Sequence, residues 1–470
     1  MPSSTDRERG LTNRELHLQN FKFNPSAQTS SNYTFVREAT SAPAITYYDY
    51  IIIGEGTSGR VYSVRACILG GGTALNVGLY SHASTRYVKE AGWDETLVNK
   101  FYEWVEKLVV FKPPKVEYQV AVRDGLLEAG VLPYNGFTYD HLYGKKIGGT
   151  IFDKKGHRHT AADLLKYADP RKITVYLHAT VYKILFRYDN GKAFSLSTCM
   201  ISRPQAYAYL IKNSNSMNEI ILSAGAIGSP QLLMLSGIGP SDHLQAHGIK
   251  VVLDQPLVGQ GMADNLMNML VIPSPILVEV TLAQTVGITR FANKSFKGGV
   301  IVEKSQVPSP QASYLELRIT NPNDNPAVTF NYFKEPEDLM RCVLGMRTII
   351  EVVNAYPFSK FRYSNMTVQA LIDMIVSLQW NKWPRHPSAA FSLEQFCIDI
   401  VMTIWHFHGG CQVGKVVDRD YKVLGVDALR VINGSTFLRS PGTNPQATVM
   451  MLGRYMGEKI LHERCSHGRK

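Results

Sequence analysis

The sequence contains no long apolar run, and its cysteines are few and dispersed. A membrane-spanning helix needs roughly 20 consecutive apolar residues, and no stretch of the 470 residues reaches that length. The six cysteines include no Cys-x-x-Cys pair, which excludes a zinc-ribbon or thioredoxin-type motif. Residues 1–44 are polar, so we expect a flexible arm and no signal peptide. Four Asn-x-Ser/Thr sequons, at Asn32, Asn293, Asn365 and Asn433, hint instead at a secreted origin.

The charge of the chain is positive but not concentrated. The formal net charge is +11, yet Lys and Arg are scattered and form no basic stripe of the kind that nucleic-acid binding requires. Hydrophobic residues make up 45% and charged residues 19%, which is typical of a globular chain. This length allows two interlocked domains with a core large enough to enclose a cofactor. We therefore expect a globular protein without a nucleic-acid partner.

A glycine-rich turn follows an apolar segment near the N-terminus. Residues 47–53 are apolar and β-branched, which predicts a buried parallel strand. The strand leads into Gly54-Glu55-Gly56-Thr57-Ser58-Gly59. Glycines at this spacing let backbone amides approach a pyrophosphate at a helix N-terminus. The context favours dinucleotide binding over a plain strand and turn.

The chain that follows this motif is too short for the usual continuation. A crossover helix and a second strand normally come next, and an acidic residue about 20 positions on binds the ribose. Only residues 60–69 separate Gly59 from the next glycine cluster, and none of them is acidic. Glu55 also places a negative charge beside the expected pyrophosphate. We therefore predict a truncated Rossmann-type fold.

Two further segments have a pattern typical of ligand-binding corners. Gly70-Gly71-Gly72-Thr73-Ala74-Leu75-Asn76 combines three glycines with a small hydroxyl, so backbone can lie flat against a bulky ligand; a flexible turn is the alternative. Residues 225–239 predict a strand-to-helix corner. Ser229-Pro230 is its expected helix start and Ser236-Gly237 its expected end. A purely structural corner explains that second segment equally well.

Two histidines near the C-terminus are candidate proton carriers. Histidine takes up a proton near neutral pH, and the sequence places His406 and His408 two residues apart. On a strand these two and Cys411 would share a face, but no carboxylate stands nearby to complete a metal site, so we predict none. Asn444 precedes Pro445, and this pair predicts a turn that opens a helix.

Taken in this order, the five segments resemble the glucose-methanol-choline (GMC) family of FAD-dependent oxidoreductases. The similarity runs from about residue 48 to residue 464, and it is greatest to the plant branch that includes HOTHEAD and the mandelonitrile lyases. The resemblance implies a mixed α/β fold, with an FAD-binding domain at 45–260 and an antiparallel-sheet substrate domain at 261–400. Residues 401–470 are then expected to return to the FAD domain with the catalytic groups.

The resemblance also implies functional residues. His406 matches the catalytic histidine and Asn444 the second catalytic position. Cys342 and Cys397 match a disulfide of the plant lyases, with two buried free thiols as the alternative. The positions that match FAD contacts are Gly54, Gly56, Gly59, Gly71, Thr73, Asn76, Val181, Gly434, Pro445, Gln446 and Ala447.

The implied activity is FAD-dependent oxidation of the CH–OH group of a small alcohol, with His406 removing the hydroxyl proton. A lyase that splits cyanohydrins and an inactive remnant are the alternatives.

The chain departs from the family after Gly59, between about residues 290 and 311, at Asn433 where the family usually has Asp, and in its polar N-terminus. Family members are secreted. Because the ribose-binding segment is missing, we expect this chain to bind FAD poorly or not at all.

Overall fold

A computed structural model describes residues 33–54, 68–189, 192–201, 206–211, 217–278, 284–289, 293–297, 300–306, 313–378, 381 and 383–467. The predictions for Gly56, Gly59 and the shortened segment after them lie outside these residues, as does most of the N-terminal arm. Among the described residues, no helix combines the length and apolarity that crossing a membrane requires.

The described residues form nine α-helices and several short 3-10 helices. The α-helices are Thr85–Glu90, Glu95–Val109, Glu117–Glu128, Gly225–Leu235, Ser241–Ala246, Pro336–Asn354, Val368–Ser377, Leu393–Ile400 and Gln446–His467. The 3-10 helices are Ala39–Ser41, Gly71–Ala74, Ala161–Tyr167, Tyr356–Phe361, Pro387–Ala390 and Gly434–Thr436. In Glu95–Val109 the buried residues, Val98, Phe101, Tyr102, Val105 and Val109, recur at helical spacing.

A small parallel sheet lies beside the C-terminal helix. Within the described residues its strands run in the order Leu429–Val431, Glu219–Ser223, Tyr50–Gly54. Apolar β-branched residues fill it, as expected of parallel strands covered on both faces. On its outer strand, however, Ile51 and Ile53 are buried whereas Ile52 is 66% exposed. One face of that edge strand is therefore open to solvent.

The strand predicted over residues 47–53 is divided in the structure. Ile45–Tyr48 pairs in parallel with Ala206–Leu210, whereas Tyr50–Gly54 pairs with Glu219–Ser223. The first pair belongs to a separate five-stranded sheet with Thr180–Asp189, Lys192–Ile201 and Val426–Asp427. The break comes at Asp49, whose carboxylate accepts a hydrogen bond from Arg464 at 2.9 Å. One continuous apolar segment of the sequence thus contributes a strand to each of two sheets.

The helix in the second corner begins earlier than predicted. It starts at Gly225, and Pro230 lies inside it rather than at its first turn. All residues from 226 to 235 are buried, so packing on every side outweighs the local preference of proline for a helix start. The predicted end is confirmed: Ser236 caps the helix, and Gly237 adopts a φ of +89°.

A large, mostly antiparallel sheet forms the second part of the fold. Its seven strands, in sheet order, are Met402–Thr403, Asn265–Val271, Val300–Gln306, Asn293–Lys297, Thr285–Ile288, Gly144–Ile147 and Tyr134–Phe137. Leu266 and Leu270 belong to an apolar cluster shared with the helices Pro336–Asn354 and Leu393–Ile400. A disulfide joins those two helices through Cys342 and Cys397, with an S–S distance of 2.08 Å.

Smaller strand pairs complete the fold. Tyr314–Glu316 and Ala327–Thr329 are antiparallel, as the alternating pattern there predicts. Leu79–Tyr80 pairs with Gly149–Thr150, and Ile238–Gly239 with Leu253–Asp254. Within the expected arm, Val36–Glu38 pairs with Val175–Leu177.

Candidate active site

His406 and Asn444 meet where the two sheet regions adjoin. His406 follows the edge strand Met402–Thr403 of the seven-stranded sheet, and Asn444 lies just before the C-terminal helix Gln446–His467. The His406 Nε2 and Asn444 Nδ2 atoms are 3.4 Å apart. Both side chains are half-buried, so neither is closed off from solvent.

Asp264 holds the backbone beside His406 in place. Its Oδ1 accepts hydrogen bonds from the amides of Asn265 at 2.8 Å and His406 at 3.0 Å. Its Oδ2 accepts from the Thr403 hydroxyl at 2.5 Å and the Tyr332 hydroxyl at 2.9 Å. Burial raises the pKa of Asp264 to about 6, although all four donors act in the opposite direction. The carboxyl thus joins three chain segments beneath the histidine.

Asn265 approaches the other ring nitrogen of His406. Its Nδ2 lies 3.2 Å from His406 Nδ1 and 3.1 Å from Ser440 Oγ, while its Oδ1 is buried without a hydrogen-bond partner in the described structure. A neutral imidazole carries a proton on one nitrogen and accepts at the other. The two amides, Asn265 and Asn444, therefore face opposite nitrogens, and the orientation of each amide determines where the ring proton resides.

His408 occupies a different environment from His406. It is only 2% exposed, and its Nδ1 lies 3.0 Å from the carbonyl oxygen of His406. Its backbone forms a bridge with Ala263 through two hydrogen bonds of 2.8 and 2.9 Å. Burial raises the pKa of the Cys411 thiol to about 12, so that group is neutral and a poor metal ligand. In the part of the chain that the structure describes, no group of three potential metal ligands is assembled.

The second glycine cluster is tied to the start of the C-terminal helix. The Asn76 amide donates to Gln446 Oε1 at 2.7 Å, and Gln446 Nε2 donates to the Leu79 carbonyl at 2.5 Å. Thr73 Oγ1 donates to Gly70 O at 2.5 Å. The Asn76–Gln446 contact brings two predicted positions together across the fold, whereas the Thr73 bond stays within the glycine cluster.

Backbone lies open at two of the predicted cofactor glycines, Gly54 and Gly434, and at Gly72, which stands between the predicted positions Gly71 and Thr73. A Cβ added at Gly54 or Gly72 would meet no atom within 4 Å, and one at Gly434 would meet only Phe407 O at 3.7 Å. Gly54 ends a strand of the parallel sheet, and Gly434 follows another strand of that sheet by three residues. Ligands of open α/β sheets bind at such carboxyl ends. The residues present therefore fit a flat ligand held against bare backbone.

The remaining predicted positions are more deeply placed. Pro445 immediately precedes the C-terminal helix and is half-buried, whereas Ala447 is fully buried in the apolar cluster beneath that helix. Val181 lies in Thr180–Asp189 and is buried in the same cluster as Ile51 and Ile53. Of the predicted cofactor positions, Asn76 and Gln446 are in direct contact, while Gly56 and Gly59 lie outside the described residues.

Sequence reasoning missed the groups that support the histidine. Asp264 and Asn265 sit between Ala263 and an apolar strand, and no recognised motif draws attention to them. The one available signal is an acidic residue at the start of a buried strand, where an unpaired carboxylate would be costly. Lys146, buried on a strand of the seven-stranded sheet, was missed in the same way.

The fold and the site define a mixed α/β protein with a candidate proton-transfer centre between two sheet regions. Profiles of the GMC oxidoreductase family match residues 48–267 and 308–453. Protein HOTHEAD of Arabidopsis thaliana is 45% identical over 87% of this chain and 78% of its own length. The chain therefore belongs to the GMC oxidoreductase family, as the sequence motifs predict. Members of this family bind FAD.

Other relatives span more than one activity. An (R)-mandelonitrile lyase-like protein of Arabidopsis thaliana is 38% identical over 92% of both chains. Sinalpyl alcohol oxidase Nec3 of Nesocodon mauritianus is 37% identical over 86% of this chain and 76% of its own. A formate oxidase of Aspergillus oryzae has a similar structure, with a TM-score of 0.73 over 91% of this chain and all of that chain, at 15% identity. This similarity confirms the predicted mixed α/β fold.

Proposed function

We propose that this chain carries the active site of an FAD-dependent oxidoreductase that oxidises the CH–OH group of a small alcohol. The supporting observation is the 3.4 Å approach of His406 Nε2 and Asn444 Nδ2, next to open backbone at Gly54, Gly72 and Gly434. A relative of this chain is named as an alcohol oxidase.

In this proposal His406 takes the hydroxyl proton at Nε2, and the Asn444 amide hydrogen-bonds the same oxygen. General-base help of this kind contributes roughly 10²–10⁴-fold to a rate. Nε2 is free to accept only when the ring proton is on Nδ1. The buried Oδ1 of Asn265 has no other hydrogen-bond partner among the described groups, and a half-turn of that amide would bring it to Nδ1. We infer that Asn265 is a positioning residue that selects the reactive tautomer.

FAD, when bound, supplies the hydride acceptor of the reaction. Asn76 and Gln446 would position the segments beside it, since their side chains connect the glycine cluster to the C-terminal helix, and Thr73 would hold the turn of that cluster through Gly70. Gly54 and Gly434 would leave room for it against the parallel sheet. The Asp264 carboxylate accepts a hydrogen bond from the His406 amide, which would hold the His406 backbone beside the same surface.

Flavin retention by this chain is predicted to be poor. Residues 60–69 contain no acid for the ribose and leave no length for a crossover helix. The exposure of Ile52 on the outer strand is what a parallel sheet without its next covering elements would show. The chain is purified and its visible absorption spectrum recorded after gel filtration. We expect little bound flavin; a stoichiometric, retained flavin peak would contradict this expectation.

The assignment of the base is tested in a chain with a family-type crossover segment restored after Gly59. His406→Ala should lower turnover of an alcohol by roughly 10²-fold or more, and the matched variant His408→Ala by far less. Asn265→Leu should lower the rate, and Asn265→Asp should restore part of it with a shifted pH profile, because a carboxylate also accepts from Nδ1–H. Flavin content is measured in every variant. Equal losses at the two histidines, with equal flavin content, would refute the assignment.

Cyanohydrin cleavage is a second candidate function, favoured by the 38% identity to an (R)-mandelonitrile lyase-like protein over 92% of both chains. His406 would again move the proton of a hydroxyl group. The two activities give different signals in the chain with the crossover segment restored after Gly59. Bleaching of the flavin by an alcohol under anaerobic conditions supports oxidation, whereas cyanide release from mandelonitrile without bleaching supports the lyase.

A further inference from the structure

The four sequons differ in what the fold allows. Asn32 and the side chain of Asn293 lie outside the described residues. Asn365 and Asn433 are both described, and their environments are opposite. A glycan needs an asparagine whose side-chain nitrogen points to solvent and makes no essential hydrogen bond.

Asn433 is excluded by its contacts. It is 4% exposed, and its Nδ2 donates to Leu222 O at 3.1 Å and to Ser229 Oγ at 2.8 Å. Its Oδ1 accepts from the amide of Ser435 at 2.8 Å. A sugar on that nitrogen would replace one of its two N–H donors, so at least one of these bonds would be lost, and the bulk of the sugar would separate the parallel sheet from the helix Gly225–Leu235. A chain modified at Asn433 is therefore incompatible with this fold.

Asn365 lies in an exposed turn at the edge of the helical region. The amide of Met366 donates to the carbonyl of Tyr363 at 3.0 Å, which closes a tight turn around Asn365. Arg362 Nη1 supports the turn from behind by donating to Met366 O at 3.2 Å. Thr367, the third residue of the sequon, is also exposed and caps the helix Val368–Ser377. Asn365 itself makes none of the hydrogen bonds that hold this turn.

An aromatic ring stands next to the acceptor. Tyr363, two residues before Asn365, is 45% exposed. The face of an aromatic ring carries negative charge density and attracts polarised C–H groups, such as those on the flat side of a sugar ring. The turn that contains Asn365 begins at Tyr363, so the ring and the acceptor asparagine belong to one closed turn.

The same part of the molecule also contains an oxidised cysteine pair. The disulfide Cys342–Cys397 joins two helices of the apolar cluster that Met366 and Val368 also contact. Disulfides persist in secretory compartments and are rare in the cytosol. N-glycans are added in those same compartments, so the two features are mutually consistent.

From these observations we propose that Asn365 is an N-glycosylation site and that its first sugar packs on Tyr363. The proposal is independent of the catalytic assignment, because none of these residues belongs to the site around His406. It selects Asn365 over Asn433 on structural grounds, although the sequence presents both as equal sequons.

The full chain is expressed behind a secretion leader in plant cells, and soluble monomer is purified. Peptides are treated with peptide-N-glycosidase in heavy-oxygen water and mapped by mass spectrometry. We expect the isotopic label at Asn365 and none at Asn433. Asn365→Gln should remove one glycan from the intact mass. Thr367→Ser is the matched control, because it keeps a hydroxyl for both the sequon and the helix cap, and it should retain the glycan.

The Tyr363 contact is tested separately. Enzymatic removal of the glycan should lower the unfolding midpoint of the wild-type protein, and Tyr363→Ala should abolish that difference. If the chain is retained inside the cell, only the modification of Asn365 is scored in the retained material. The sugar is transferred before folding is complete, so a label on Asn433 in that material would not report on the folded protein. Unmodified Asn365 in either material, or a label on Asn433 in soluble monomer, would overturn the proposal.

Discussion

Asp264→Asn is the most direct test of the polar network beneath His406. Burial raises the pKa of the Asp264 carboxyl to about 6, compared with about 3.9 in an unfolded chain. Between these values the folded state binds more protons than the unfolded state. Stability from this group is therefore greatest below pH 4 and falls as the pH rises to 6. About two pKa units correspond to about 3 kcal/mol.

The variant carries a second, pH-independent cost. Asparagine presents one oxygen where the carboxylate presents two, so one pair of donors loses its acceptor, and an unsatisfied buried donor costs about 1–3 kcal/mol. The two hydroxyl donors, Thr403 and Tyr332, can rotate, whereas the backbone amide of His406 cannot. This second cost is the same at every pH, so only the contribution from the Asp264 pKa changes. The stability advantage of the wild type over Asp264→Asn should therefore shrink by about 3 kcal/mol between pH 4 and pH 7.

The measurement is urea unfolding followed by tryptophan fluorescence at pH 4, 5, 6 and 7. Asp338→Asn is a matched control, because burial raises the pKa of Asp338 to about 6 as well, and Asp338 lies on the helix Pro336–Asn354 rather than beside His406. Both variants should flatten the pH dependence, and only Asp264→Asn should impair catalysis. A wild-type advantage that grows with pH would mean that the four donors outweigh burial, and the reasoning would be refuted.

Two further predictions concern groups remote from His406. Replacing Cys342 and Cys397 together by alanine opens a loop with a sequence separation of 55, which should cost about 4 kcal/mol on chain-entropy grounds and lower the urea midpoint; an unchanged midpoint would contradict the cross-link. Burial lowers the pKa of Lys146 to about 7, so the folded state binds fewer protons than the unfolded state between pH 7 and about 10. Stability should rise with pH over that range in the wild type, and Lys146→Met should remove the rise; an equal slope in both proteins would show that Lys146 is not the source.

Local structure followed the sequence where burial and local preference agreed. The end of the second corner at Ser236 is as predicted, because the residues that end a helix act within one or two turns. Prediction failed where packing opposed a local preference. Pro230 lies inside a helix that is buried on all sides, and Asp49 divides an apolar run between two sheets.

The sequence by itself determined the family, the glycine segments and the histidine chemistry, because these depend on residue types at short, fixed spacings. Only the tertiary structure decided that His406 meets Asn444 across 38 residues, and that Asp264 accepts hydrogen bonds from two distant segments, one at Tyr332 and one at Thr403 and His406. It also decided that one of two equal sequons is buried and the other exposed. The physical reason is common to all three outcomes. Burial and long-range hydrogen bonding depend on which segments pack together, and no local pattern encodes that.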